Sequence, residues 1–192
     1  MLGSGLIGLG LRAREQNPLH RIAHPLLVKL AAQTFETMHL AVLRGHEVCY
    51  YDKVEGGRNV RMGSLIGSLA PVYCTGVGKA ILAFLPRSRQ NEILAGLRLE
   101  RFTRTTLTAP KMIREELKKI VQRGYAVDNC EHEPGVFCIA SPILNIHGCA
   151  IAGISISGSE RHLRNHVIPL GRQIQETAAA ISEQYNRSGS VR

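Results

Sequence analysis

Apolar and polar positions along the chain fall into two groups of three extended segments, each followed by helical segments. Leu19, Ile22, Ala23, Leu26, Leu27 and Leu30 recur at intervals of three and four, which predicts an amphipathic helix over Leu19–Ala32. Pro25 lies inside that run and predicts a kink or a fresh helix start at His24. Thr37–Leu43 alternates with a period of two, Arg44–Glu47 supplies a turn, and Val48–Val54 alternates again, so the two read as a hairpin. Asn59–Gly67, with Val60, Met62 and Leu65 apolar, reads as a third extended segment. Ala70–Leu85 then reads as a short extended piece, a glycine turn and a buried helix. Pro71 keeps Ala70 extended, Thr75 is a fair N-cap, and Gly76 and Gly78 keep the turn free of side chains.

The second half repeats the theme. Pro86–Leu99 reads as a short surface helix and loop. Thr108 is the expected N-cap of a helix with Pro110 in its first turn, Ile113, Leu117, Ile120 and Val121 as its buried stripe, and Gly124 as its stop. Tyr125–Asp128 begins a strand, and Asn129–Pro134 is polar. Gly135–Ile143 is an apolar strand ending near Pro142. Asn145–Gly148 is a tight turn leading into the strand Cys149–Ser157. Leu163–Tyr185 is a final helix with Val167, Leu170, Ile174, Ala178 and Ile181 on one side, and Arg187–Arg192 is a polar tail expected to be disordered. Leu6–Asn17 carries no clear start signal. Hairpin-linked strands between helices indicate an α+β fold with an antiparallel or mixed sheet covered by helices.

Composition narrows the class of protein. At 192 residues with 44% hydrophobic positions, the chain holds one sizeable core, or one domain plus an appendage. No apolar run is long enough to span a bilayer, so no membrane partner is expected. Five cysteines without regular spacing do not form a disulfide framework, which places the protein in a reducing cytoplasm. The net charge of +9 permits an anionic partner, and Arg98–Arg123 holds eight Lys or Arg against three Glu. Aromatics at 5% argue against a single-strand stacking surface, and no recognition-helix pattern is present.

Two motifs mislead. Gly76-Val77-Gly78-Lys79-Ala80 invites a phosphate-loop reading, but Tyr73 stands where the first glycine belongs and Ala80 where Ser or Thr belongs. Gly3-Ser-Gly5-Leu-Ile-Gly8 matches a dinucleotide fingerprint without a preceding strand. His20 and His24 lie four apart and share a helix face, but two histidines without a third ligand make no metal site, and no metal or cofactor is expected. The candidate chemistry lies elsewhere. The start of the helix after Thr75 points bare N–H groups at one spot, a place for a carboxylate or phosphate. In Ile151–Ser157, one face carries Ala152, Ile154 and Ile156, while the other carries Ile151, Gly153, Ser155 and Ser157, the pattern of a polar pocket floor. Val136, Cys138 and Ala140 share one face of the neighbouring strand, and Asp128 stands at a strand end, where a carboxylate can accept hydrogen bonds from ligand hydroxyls. Cys138 near His132 leaves open a GAF-like enzyme with a reactive thiol.

These motifs together resemble a known family. Gly76-Val77-Gly78-Lys79-Ala80 after Pro71, Arg123-Gly124-Tyr125-x-x-Asp128, Gly135-Val136-x-Cys138-Ile139-Ala140 and Ile154-Ser155-Ile156-Ser157-Gly158 are similar to the effector-binding domain of IclR-type bacterial transcription regulators, from about Leu9 to Tyr185. The resemblance implies a GAF-like fold: a curved, mostly antiparallel sheet of about six strands flanked by helices. It implies an effector-binding domain over residues 19–186, with residues 1–18 the remnant of a linker helix from an absent N-terminal winged helix-turn-helix domain. It also implies a ligand sensor rather than an enzyme, a regulator of carbon-source catabolism and most often a repressor. The effector would be a small organic acid, a sugar acid or keto acid, and the partners a homodimer or tetramer and operator DNA reached through the absent domain. The positions matching ligand contacts of the family are Met62, Ala70, Gly76, Val77, Asp128, Val136, Cys138, Ser155 and Ser157. Where the family often carries two adjacent acids two residues after the aspartate, this chain has Cys130 and Glu131.

Overall fold

The computed structural model describes residues 3–58 and 62–189. The first hairpin forms as β1 (Thr37–Arg44) and β2 (Glu47–Val54), joined through Gly45 at φ 63°, a left-handed conformation that glycine adopts without a Cβ penalty. β3 (Leu69–Pro71) pairs with β2, while β4 (Ala126–Asn129), β5 (Val136–Leu144) and β6 (Ala150–Ser159) form a second meander. β1 pairs with β6 and fuses the halves into one curled antiparallel sheet of order β3-β2-β1-β6-β5-β4.

Each face of the sheet carries its own core. On one side lie α2 (Pro18–Thr34) and α7 (Val167–Gly189), closing over Leu27, Leu30, Met38, Leu40, Ile154, Ile156, Ile174 and Ile181. On the other lie α3 (Gly76–Ala83), α4 (Arg87–Gly96) and α5 (Pro110–Arg123), packed through Val72, Ile81, Leu82, Ile93, Ile113, Leu117 and Ile120. Each such aliphatic side chain, fully buried, contributes about 1.5–3 kcal/mol before entropy is counted. α1 (Ser4–Gln16) precedes α2 and leaves Leu6, Ile7, Leu9 and Leu11 exposed. α6 (Glu160–Leu163) and a 3-10 turn at Arg164–His166 lead into α7.

β6 alternates as its sequence demands. Ala152, Ile154 and Ile156 enter the α2–α7 core, and Gly153, Ser155 and Ser157 face the α3 side. Ile151 departs from that alternation. A register shift between Ile143 and Leu144 leaves it opposite no residue of β5, and its side chain packs with the α2–α7 core.

Several boundaries differ from expectation for identifiable reasons. The third strand is Leu69–Pro71, not Asn59–Gly67. Residues 59–61 lie outside the described residues. Beyond them the backbone is held by the Lys53 ammonium, which donates to the carbonyls of Met62 and Ser64, rather than by a ladder. α2 starts at Pro18 under an Asn17 cap and runs unbroken through Pro25, with no fresh start at His24, because Ala23, Leu27 and Leu30 anchor it to the sheet on both sides of the proline. α5 starts at Pro110 with Ala109 in the cap position. The Thr108 hydroxyl accepts from Arg101 instead of capping. Val121 is exposed, so the stripe is Ile113, Leu117 and Ile120. β5 continues through Pro142 to Leu144. β4 pairs only to Ala140, so Pro142 has a neighbouring strand on one side alone, a position that tolerates a missing N–H. α7 extends through Gly189, which makes the start of the expected polar tail helical.

Candidate functional site

The glycine turn before α3 is held by its cap. The Thr75 hydroxyl donates to the Pro71 carbonyl at 2.8 Å and accepts from the Gly78 N–H at 3.3 Å, and Lys79 N–H returns to the Thr75 carbonyl. A Cβ on Gly78 would stand 2.3 Å from the Val72 carbonyl oxygen, and one on Gly76 would stand 3.1 Å from the Cys138 Cβ. Glycine at 78 lets the turn close on the Val72 backbone, and glycine at 76 eases its approach to β5. The N–H groups of Gly76 and Val77 are the first two of the helix and have no intrahelical acceptor. Both residues line a cavity between α3 and the sheet.

The facing wall comes from β1, β5 and β6. Ser155 and Ser157 line it from β6, Val136 and Cys138 from β5, and Asp128 from the end of β4. The chain from Met62 to Ser64 and the loop residues His132 and Glu133 form the rim. The cavity is small, about 30 Å³.

A polar network sits at the bottom. His39 of β1 is buried. Its Nδ1 lies 3.3 Å from the Ser155 hydroxyl and 3.2 Å from that of Ser157, and its Nε2 lies 2.8 Å from the Ser64 hydroxyl. Burial, reinforced by the Lys53 charge, holds this imidazole down to about 3, so it is neutral and joins three hydroxyls without bringing charge. The Tyr50 ring of β2 lies tilted against it with ring centroids 5.0 Å apart, and burial raises its phenol above the ordinary range.

Asp128 supplies a carboxyl to the cavity. It is 3% exposed, and its Oδ1 accepts the Glu131 N–H at 2.7 Å, while Oδ2 has no hydrogen-bond partner among the described residues. Burial first, then the neighbouring Glu131 carboxylate, push its carboxyl up to about 7 against the pull of Lys79. Near neutral pH it therefore carries a proton part of the time and can donate as well as accept.

Behind the cavity wall, Lys79 is fully buried. Its ammonium donates to the Val127 carbonyl at 2.7 Å and pairs with Glu131. The lysine of the glycine turn thus points into the protein as a structural cation, and the turn binds its phosphate-loop look-alike residue internally. The Glu131 that remains of the two expected rim acids is this lysine's buried partner. Cys130 beside it is buried at φ 55°.

Of the nine residues singled out in the sequence, eight line this one cavity: Met62, Gly76, Val77, Asp128, Val136, Cys138, Ser155 and Ser157. Ala70 does not. It pairs with Val48 in the β2–β3 ladder and its side chain is in the α3-side core. Sequence reasoning missed His39, Tyr50, Ser64, Thr75 as a lining residue, and Glu133. His39 alternates in phase with Ala41, the polar-side register of β1, which was the available signal. The Cys138 thiol is half-buried next to Asp128, and desolvation first, then that carboxylate, push it well above the ordinary thiol range. No hydrogen bond joins it to His132 among the described residues.

The family model described as bacterial transcriptional regulator IclR C-terminal matches residues 12–183. The HTH-type transcriptional regulator KdgR of Escherichia coli (strain K12) is 35% identical over 91% of this chain and 68% of its own length. The HTH-type transcriptional regulator BhcR of Paracoccus denitrificans (strain Pd 1222) is 42% identical over 71% of this chain and 49% of its own length, so the chain spans 49–68% of the length of these two relatives. Among solved structures, the Thermotoga maritima IclR superposes with a TM-score of 0.91 at 38% identity, covering 96% of this chain and 75% of that one. An IclR homolog from Microbacterium hydrocarbonoxydans complexed with 4-hydroxybenzoate superposes with a TM-score of 0.82 at 26% identity, covering 97% of this chain and 75% of that one.

Proposed function

Because this chain belongs to the C-terminal family of the bacterial transcriptional regulator IclR, we propose that it is the sensor of a regulator that binds a small organic acid in the cavity beside α3. The observation that carries the reading is convergence: two helix-start N–H groups, a carboxyl able to hold a proton and two serine hydroxyls border one small cavity. The ligand carboxylate sits on the N–H groups of Gly76 and Val77, where the helix dipole favours negative charge. A hydroxyl or keto oxygen beside it meets Asp128, and Ser155 and Ser157 turn their hydroxyls from His39 to the ligand. Met62 and Val136 form the apolar wall.

The complex of the Microbacterium hydrocarbonoxydans homolog with 4-hydroxybenzoate supports a hydroxy acid as the ligand class. A 2-keto or 2-hydroxy acid presents the carboxylate and the adjacent oxygen that this arrangement would meet, a head group that sugar acids share. The chain spans only part of its relatives, and the matching KdgR and BhcR are HTH-type regulators. α1 would then be the connection to a DNA-binding domain, and ligand binding would shift the balance between homo-oligomer arrangements of different DNA affinity. The shift is limited by the ligand's differential affinity for those arrangements.

Isothermal titration of the chain with short 2-keto and 2-hydroxy acids, sugar acids and hydroxybenzoates tests this. At least one short acid is expected to bind one per chain, and Asp128→Leu is expected to abolish the heat. Absence of binding by every acid at millimolar concentration would contradict the proposal.

A further inference from the structure

We propose that His20, His24 and Asp52 form a binding site for one divalent transition-metal ion of the zinc class, at the seam between α2 and β2. The two histidines lie four residues apart on α2 and their rings stack with centroids 5.2 Å apart. The third ligand comes from the sheet. The register shift between Leu40 and Ala41 leaves Tyr51 as the extra residue of a bulge, so Tyr50 pairs with Ala41 and faces the cavity, while Asp52 pairs with Leu40 and faces α2. Strict alternation would have put Tyr50 and Asp52 on the same side.

The distances suit a metal. Asp52 Oδ2 is 2.6 Å from Nδ1 of His24 and 3.4 Å from Nε2 of His20, and the ligand atoms all lie within 4.8 Å of one another. In a tetrahedral site with bonds of about 2.0–2.1 Å, neighbouring ligand atoms stand about 3.3 Å apart. The His20–Asp52 spacing already has that value, and the His24–Asp52 contact opens by about 0.7 Å on loading. A second observation points the same way. His20 is 6% exposed, and its Nε2 has no hydrogen-bond partner although it is buried and faces Asp52. Arg14 of α1 approaches the other carboxylate oxygen, Oδ1, at 3.7 Å and orients Oδ2 toward the histidines. The side chain of His24 is 42% exposed, which gives the ion a way in and leaves its fourth position to water. Two imidazoles and one carboxylate are borderline ligands, which select zinc and its neighbours over calcium or magnesium. The bound ion ties α2 to β2, two residues from Tyr50 of the cavity wall.

The test uses the untagged chain, stripped with chelator and dialysed against zinc, with bound metal counted by mass spectrometry and cobalt as a spectroscopic probe. One zinc per chain is expected, with a higher melting temperature. Cobalt is expected to give visible d–d bands without a thiolate charge-transfer band. His24→Gln, at a half-exposed position, is expected to weaken zinc binding at least tenfold, and His162→Gln, in α6 where its ring lies 5.1 Å from that of His166, to leave it unchanged. Sub-stoichiometric zinc, full retention by His24→Gln, or a thiolate band from cobalt would each overturn the site. The wild-type cobalt spectrum decides the ligand type even if the variant fails to fold.

Discussion

At the scale of single residues, the burial of Asp128 sets the pH behaviour of the cavity. Its carboxyl rises from 3.8 to about 7, so between about pH 4 and 7 the folded chain binds more protons here than the unfolded chain. This contribution to stability is complete below pH 4 and lost as pH climbs to 7. His39, lowered from 6.5 to about 3, acts in the opposite direction, because the unfolded chain takes up its proton first as pH falls. The difference between wild type and Asp128→Asn isolates the first effect. The melting temperature of the variant relative to wild type is expected to rise from pH 4 to 7, and a constant difference would refute the assignment. Affinity for an anionic ligand is expected to fall above pH 7, where Asp128 becomes a second negative charge, and to lose that dependence in Asp128→Asn, as titration at several pH values would show. Lys79 gives a second residue-level expectation. Lys79→Met leaves Glu131 buried without its cation and is expected to cost about 3–5 kcal/mol in urea unfolding, with much of the loss recovered in the Lys79→Met, Glu131→Gln pair. Ser155 and Ser157 were legible in the sequence because alternation alone put two hydroxyls opposite three aliphatic side chains. The role of Lys79 was not, because its partner Glu131 lies 52 residues away and only the fold brings them together.

At the scale of elements, the turn into α3 decides whether the cavity has the wall that faces the serines. Gly78→Ala drives a methyl into the Val72 carbonyl oxygen, which is backbone and cannot yield. It is expected to destabilise the chain by about 1–3 kcal/mol and to remove ligand binding. Gly76→Ala meets the Cβ atoms of Cys138, Ala140 and Asp128, the nearest at 3.1 Å, which can shift by tenths of an ångström, and is expected to cost less. Urea unfolding of the two variants checks the order. The turn, both hairpins and the terminal helix were readable from capping residues, glycines and periodicity. β3 was not, since a three-residue strand has no periodicity to show and Met62–Leu65 carries apolar residues for a different purpose. The bulge at Tyr51 was equally hidden. Nothing in Glu47–Val54 announces that alternation breaks there, and that break turns Asp52 from the cavity toward His20 and His24.

At the scale of the whole molecule, six antiparallel strands divide the labour between two faces. The α2–α7 face is closed by hydrocarbon, and the α3 face spends part of its area on a polar cavity. The net charge of +9 is spread over a chain with no recognition helix in its sequence pattern. Alone it is expected to retain operator DNA only weakly in a gel shift, with the retention lost on raising the salt to a few hundred millimolar. A salt-resistant, sequence-specific shift would show DNA recognition within this chain itself. The claim on which the functional reading rests is the position of the ligand carboxylate. Amide nitrogen–proton correlation spectra, recorded while titrating the acid that binds in calorimetry, observe that position directly. The amides of Gly76 and Val77 are expected to move furthest and to saturate with the calorimetric affinity. Saturable binding that leaves both amides in place would contradict the account.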